Sequence, residues 1–336
     1  MTQKIVVKTS LTPNIIMHVF SCLEIEGSFY NSDYGLKHRF TILEEEYKQW
    51  EIASKKCMTL GCNTELFAVL FQIPSYIPAE DLEMVLSTYD KISEAIDEGS
   101  LESLLSSYPG VFDNLPIYAP MNVFDEHFKK LFEQKELIKE IFTIFKQILL
   151  GLWDRFYGDY WEKEAKAKLE KRIADLEVII KPINIINSWK KLFNIEFPYH
   201  EFVALLVEPT KTIATNLLAE KIIISYEQEE MDLYRILIHE IGRTFLLNIN
   251  LFENDSLKSI AKSNVDKLST IVDAACIHVK KDLFKALKIR EKNDDPYNVH
   301  EVKEIVPVFA QIWDSMTNKD IYKAIIQTYN KLKPII

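Results

Sequence analysis

The residues best placed to do chemistry lie in the stretch Ile236-Leu237-Ile238-His239-Glu240-Ile241-Gly242-Arg243-Thr244-Phe245. An imidazole offers a lone pair to a metal or a proton, and an ionised carboxylate beside it accepts a proton. A His-Glu pair alone means little here, because three of the seven histidines (His200, His239 and His300) are followed by Glu. Context separates them. Apolar residues flank His239-Glu240 at helical spacing. Just upstream, Ile222-Ile223-Ile224 reads as strand. Gly242 costs a helix interior about 1 kcal/mol relative to Ala, so another backbone or a ligand is expected to come close there. Arg243, one turn beyond His239, stays protonated and has no lone pair for a metal. The plain alternative is an ordinary helix with a buried, hydrogen-bonded histidine.

These residues need elements to hold them. Residues 202–207 form an apolar run of strand length, Glu208-Pro209-Thr210-Lys211 reads as a turn, and 213–225 holds a second β-rich run. The two runs are expected to form a hairpin or adjacent strands. Helices are expected over 231–247 and 265–287. Upstream, 4–8 and 38–43 are β-rich and are expected to pair. The segments 79–96, 123–146, 161–180 and 183–193 carry helical periods. Pro182 should kink or end the third of these, and further helices are expected from about 302 to 332. The fold class that follows is α+β and predominantly helical. We place a weak boundary between 155 and 170, giving a mostly helical N-terminal region over 1–165 and a second unit over 166–336.

The segment His239-Glu240-Ile241-Gly242-Arg243 resembles the H-E-x-x-H signature of zincin metallopeptidases, with Arg243 standing where the family has its second histidine. The resemblance covers about a third of the chain, and residues 1–165 carry no part of it. It implies a zincin-like unit with a small sheet and two site helices. In that family both histidines bind zinc, and the Glu takes a proton from the metal-bound water. The metal lowers the pKa of that water from about 15.7 to roughly 7. The gluzincin branch takes a third ligand from a carboxylate on the following helix. Asp273 holds that place here, on the rim of an apolar stripe formed by Val265, Leu268, Val272, Ala275, Val279 and Leu283. It is equally readable as a surface carboxylate. Ala274, Ala275 and Cys276 are small enough to permit close approach. The resemblance also implies a sheet-edge strand within 213–225 that binds peptides by strand addition. Tyr297 or His300, beyond the Asp273 helix, would steady the oxyanion, against the plain reading of a surface loop.

Two functional classes follow. In one, the chain is a peptidase in which His239 and Asp273 hold zinc and Glu240 is the general base. In the other, Arg243 fills the place of the metal and pairs with Asp273, leaving a catalytically silent relative that binds a peptide or protein partner. Catalytic zinc normally takes three protein ligands, which favours silence slightly.

Composition bounds the rest. Of the 336 residues 48 % are apolar, and the formal net charge is -10 with no basic cluster. That argues against a nucleic-acid surface. Cys22, Cys57, Cys62 and Cys276 are few and fit no zinc or redox spacing, so four reduced thiols are expected. No apolar run reaches membrane-spanning length, and the protein is expected in the cytoplasm without membrane contact. Asp125-Glu126-His127 reads as a solvated helix face, the aromatic stretch 153–161 as core.

Overall fold

The computed structural model describes residues 3–25, 30–59, 70–77, 79, 81–100, 102–109, 111, 133–211, 215–218, 220–247, 254–289, 297 and 299–332. Asp125-Glu126-His127 and Cys62 lie outside these residues, as does the start of the helix expected over 123–146. The first elements are strand β1 (Lys4–Lys8) and helices α1 (Leu11–Leu23), α2 (Ser32–His38), α3 (Glu44–Thr59), α4 (Leu82–Glu98), α5 (Glu102–Ser107) and α6 (Lys135–Leu152). Two π-helical turns, Trp153–Tyr157 and Trp161–Ala165, flank the short helical stretch Gly158–Tyr160 and carry α6 into α7 (Lys166–Ile180). Then come α8 (Ile185–Phe193), β2 (Glu201–Val207), β3 (Thr215–Leu218), β4 (Lys221–Ser225), α9 (Glu230–Leu246), α10 (Asp255–Ser263), α11 (Val265–Leu287), α12 (His300–Ser315) and α13 (Ile321–Leu332).

The sheet has four strands in the order β1-β2-β4-β3. β1, β2 and β4 run parallel, with Val6 beside Val203 and Leu205 beside Ile223. β3 runs antiparallel to β4 and forms one edge. From Phe202 to Val207 every residue of β2 is buried, as is Ile222 to Ser225 in β4. Continuous burial is what a parallel strand covered on both faces requires. α1 and α7 both pack on β2, and α7 also meets β1 and α9. The runs at 202–207 and 221–225 are therefore adjacent parallel strands, and the hairpin forms within 213–225.

One expectation changes. Residues 38–43 are not a strand: His38 ends α2 and Arg39–Thr41 is a 3₁₀ turn. Thr41 Oγ1 donates to the His38 carbonyl at 2.8 Å, so a side chain there takes up a backbone acceptor. β1 instead finds its partner in β2, far along the chain. Tertiary pairing overrides local β propensity. Residue 165 ends the second π turn inside the helical run from 135 to 180. The sheet draws β1 from one side of that residue and β2–β4 from the other. One buried cluster runs from Val7 to Tyr329. Within 153–161, Tyr157 and Trp161 are buried and Trp153, Phe156 and Tyr160 are half-buried against the core. Among the described residues no helix is long and apolar enough to cross a membrane.

Candidate functional site

α9 starts beside the end of β4 and carries Glu230 and Asp232 in its first turn and Arg243 in its last. Both placements suit the helix dipole, which favours anions at the N-terminus and cations at the C-terminus. α11 is capped by Asn264, whose side chain accepts from the Lys267 N–H at 2.9 Å. That cap removes one orphan donor of the first turn. The two helices pack together, and Gly242 shows why they and α8 come so near. A Cβ at this position would stand 2.7 Å from Trp189 Cζ2 and 3.2 Å from Cys276 Sγ. Side chains, an indole ring and a thiol, crowd Gly242 in place of the backbone or ligand expected there. The same indole donates from Nε1 to the Ile238 carbonyl at 2.8 Å, clamping α8 onto α9.

On this seam the polar groups converge. His239 is fully buried, and its Nε2 lies 3.3 Å from Asp273 Oδ1. Arg243 Nε is 2.8 Å from the same carboxylate oxygen. Arg243 also donates from Nη2 to Ser269 Oγ at 3.1 Å, and its Nη1 is 3.8 Å from Glu240 Oε2. Glu240 is buried at 3 % exposure. The Tyr297 ring lies flat on the His239 imidazole, with centroids 3.6 Å apart and planes 14° from parallel. Asp273 keeps 19 % of its side-chain surface, so the rim position is a mostly covered one.

Burial raises the Asp273 pKa above the usual carboxylate value, while the Arg243 and Lys280 cations pull it back. Desolvation is thus the larger effect, a buried ion pair whose attraction repays only part of its cost. Burial also pushes the Cys276 thiol far up, which keeps it protonated and unreactive.

Of the residues singled out in the sequence, His239, Glu240, Arg243, Asp273 and Tyr297 come together. His300 does not join them. It opens α12 with its ring 83 % exposed and Nε2 3.7 Å from Glu304. Three members of the site escaped the sequence reading: Ser269, Lys280 and Trp189. A signal existed for the first two. Ser269, Asp273, Cys276 and Lys280 recur at helical spacing, one position off the apolar stripe that runs beside them.

Zinc fits these residues poorly. His239 and Asp273 are two potential ligands, and a guanidinium already lies against the Asp273 oxygen. Among the described residues no group of three or more His, Cys, Asp or Glu side chains is arranged to hold a metal ion. Compared with family models, curated proteins and solved structures, the chain matches none of them.

Proposed function

We propose that this chain is a catalytically silent, zincin-like protein that binds a peptide or protein partner. Arg243 in contact with Asp273 supports this reading most strongly. A fixed cation beside the Asp273 carboxylate repels a divalent ion and competes for the oxygen that would ligate it. Without a metal to acidify water, Glu240 has no nucleophile to activate at neutral pH. The Tyr297 ring covers one face of His239. β3 stands at the sheet edge, the position at which an extended peptide would add as a further strand.

The test is incubation with a degenerate peptide library, read by mass spectrometry for cleavage and by retention on the immobilised protein. Sequence-selective retention with no cleavage is expected. Cleavage that Glu240→Gln abolishes would overturn the reading and make the chain a metallopeptidase. No retention of any peptide would remove the binding role.

A further inference from the structure

The sheet has a second edge. β1 is its other outer strand, and among the described residues it pairs only with β2. The two edges differ. β3 has four residues, and its register on β4 shifts between Asn216 and Leu218, an irregularity that blunts an edge against a further strand. β1 holds an even register on β2 from Lys4 to Lys8. A cavity of about 310 Å³ borders the start of β1 and the connection from α7 to α8. Ile5, Ile180 and Ile183 give it an apolar wall, and Lys4 and Lys181 line it as exposed residues. Successive side chains of a strand point to opposite faces, so Lys4, Val6 and Lys8 share one face and Ile5 and Val7 the other. On the lysine face, Lys4 and Lys8 lie 3.8 and 2.8 Å from the single carboxylate of Glu201. Two ammoniums there meet one carboxylate, and both lysine side chains keep half or more of their surface.

We propose that β1 takes an extended peptide as a further strand, and that this peptide carries an acidic residue at each end of a short aliphatic stretch. This rests on the reading of the chain as a peptide binder and sets the guest at β1 rather than β3. A guest residue opposite Lys4 or Lys8 lies on the lysine face, where a carboxylate makes a cross-strand pair of opposite charge. A guest residue opposite Ile5 lies on the face of the cavity wall, which suits an aliphatic side chain. The resulting pattern is acidic, aliphatic, any, aliphatic, acidic. It reads the same in both directions, so parallel and antiparallel guests satisfy it equally. A second copy of this chain does not. Paired antiparallel in register, its β1 would set Lys8 against Lys4; paired parallel, each lysine would meet its own counterpart. Like charges directly opposite are destabilising, so the lysines that keep two copies apart select an acidic guest.

The experiment passes a degenerate peptide library over the immobilised full chain and sequences the retained peptides by mass spectrometry. The peptides held should be enriched in the acidic pattern. Their affinities are then measured singly by fluorescence anisotropy at low salt, for the unaltered chain, for Lys4→Gln/Lys8→Gln and for Ile183→Trp, with circular dichroism confirming that each is folded. Both lysines are exposed, so the glutamine variant removes charge without disturbing the core. It should bind about tenfold more weakly, and added salt should erase that difference. Ile183→Trp crowds the cavity wall and should also weaken binding. Retained peptides that lack the pattern, or an affinity unchanged in either variant, would overturn the assignment to β1 and leave peptide binding standing. Retention of no peptide would overturn both.

Discussion

His18 and His239 are both fully buried on helices, yet their surroundings differ in kind. Both ring nitrogens of His18 are taken up by neutral hydroxyls, Tyr34 Oη at 2.8 Å and Thr41 Oγ1 at 3.0 Å. Tyr157 meets the ring edge-on at 4.9 Å. Burial, aided by His38, lowers the His18 pKa to about 3, so the imidazole stays neutral and serves the packing of α1 against α2 and the π turns. His239 sits instead within a chain of formal charges that runs through Asp273, Arg243 and Glu240. A buried histidine is therefore no sign of a site. What distinguishes His239 is that charged groups have been kept beside it at a desolvation cost that apolar packing would avoid.

The sharpest way to break this contrast is to remove one charge from the second region. Arg243→Ala or Asp273→Ala should each cost up to roughly 3–5 kcal/mol, because each removes one charge of a covered contact. The double variant should cost clearly less than the sum in chemical denaturation, and additive losses would mean that the contact carries no energy. Acid titration separates the regions next. The folded-state pKa of His18 lies below its unfolded value of 6.5. Its contribution is therefore complete above about 6.5 and is lost as the pH falls toward 3, at about 1.4 kcal/mol per pH unit. His18→Leu should flatten that slope, read from urea midpoints at pH 7 and 4.5. Asp273 works in the opposite sense. Its folded pKa is raised, so the stability it contributes is present at low pH and is lost as the pH rises through that value. Asp273→Asn should therefore steepen the acid loss that His18→Leu relieves.

Smaller effects test the packing that holds the second region together. Gly242→Ala gains helix propensity but drives a methyl into Trp189 and Cys276. A net loss of about 1–2 kcal/mol is expected. A more stable variant would mean that the indole has room to move. His300→Ala should change stability by less than about 0.5 kcal/mol and leave the Arg243–Asp273 coupling untouched, as suits an exposed ring paired on its own helix.

Much of the positioning scaffold was legible in the residues. The runs at 4–8, 202–207 and 221–225 are strands, and the expected helices over 231–247 and 265–287 are α9 and α11 within a residue at each end. Pro182 follows the last residues of α7 as its fixed φ and missing N–H require. Periodicity records which residues are buried, not what they are buried against. It therefore gave no register, mistook 38–43 for a partner of β1, and could not show Trp189 arriving from α8 at Gly242. The approach of Arg243 to Asp273 followed from chemistry: a cation that cannot ligate and a carboxylate on the facing helix. Lys280 was hidden because a lysine two turns from a site reads as solvated surface, whereas this one is buried with its ammonium near the Tyr297 ring.

The central claim is that the Arg243 guanidinium stands where a metal would have to be. Elemental analysis of the purified protein, after exposure to excess zinc and exhaustive dialysis, asks this directly. The account predicts well under a tenth of an equivalent of zinc per chain. One tightly held equivalent, lost on His239→Ala, would contradict it.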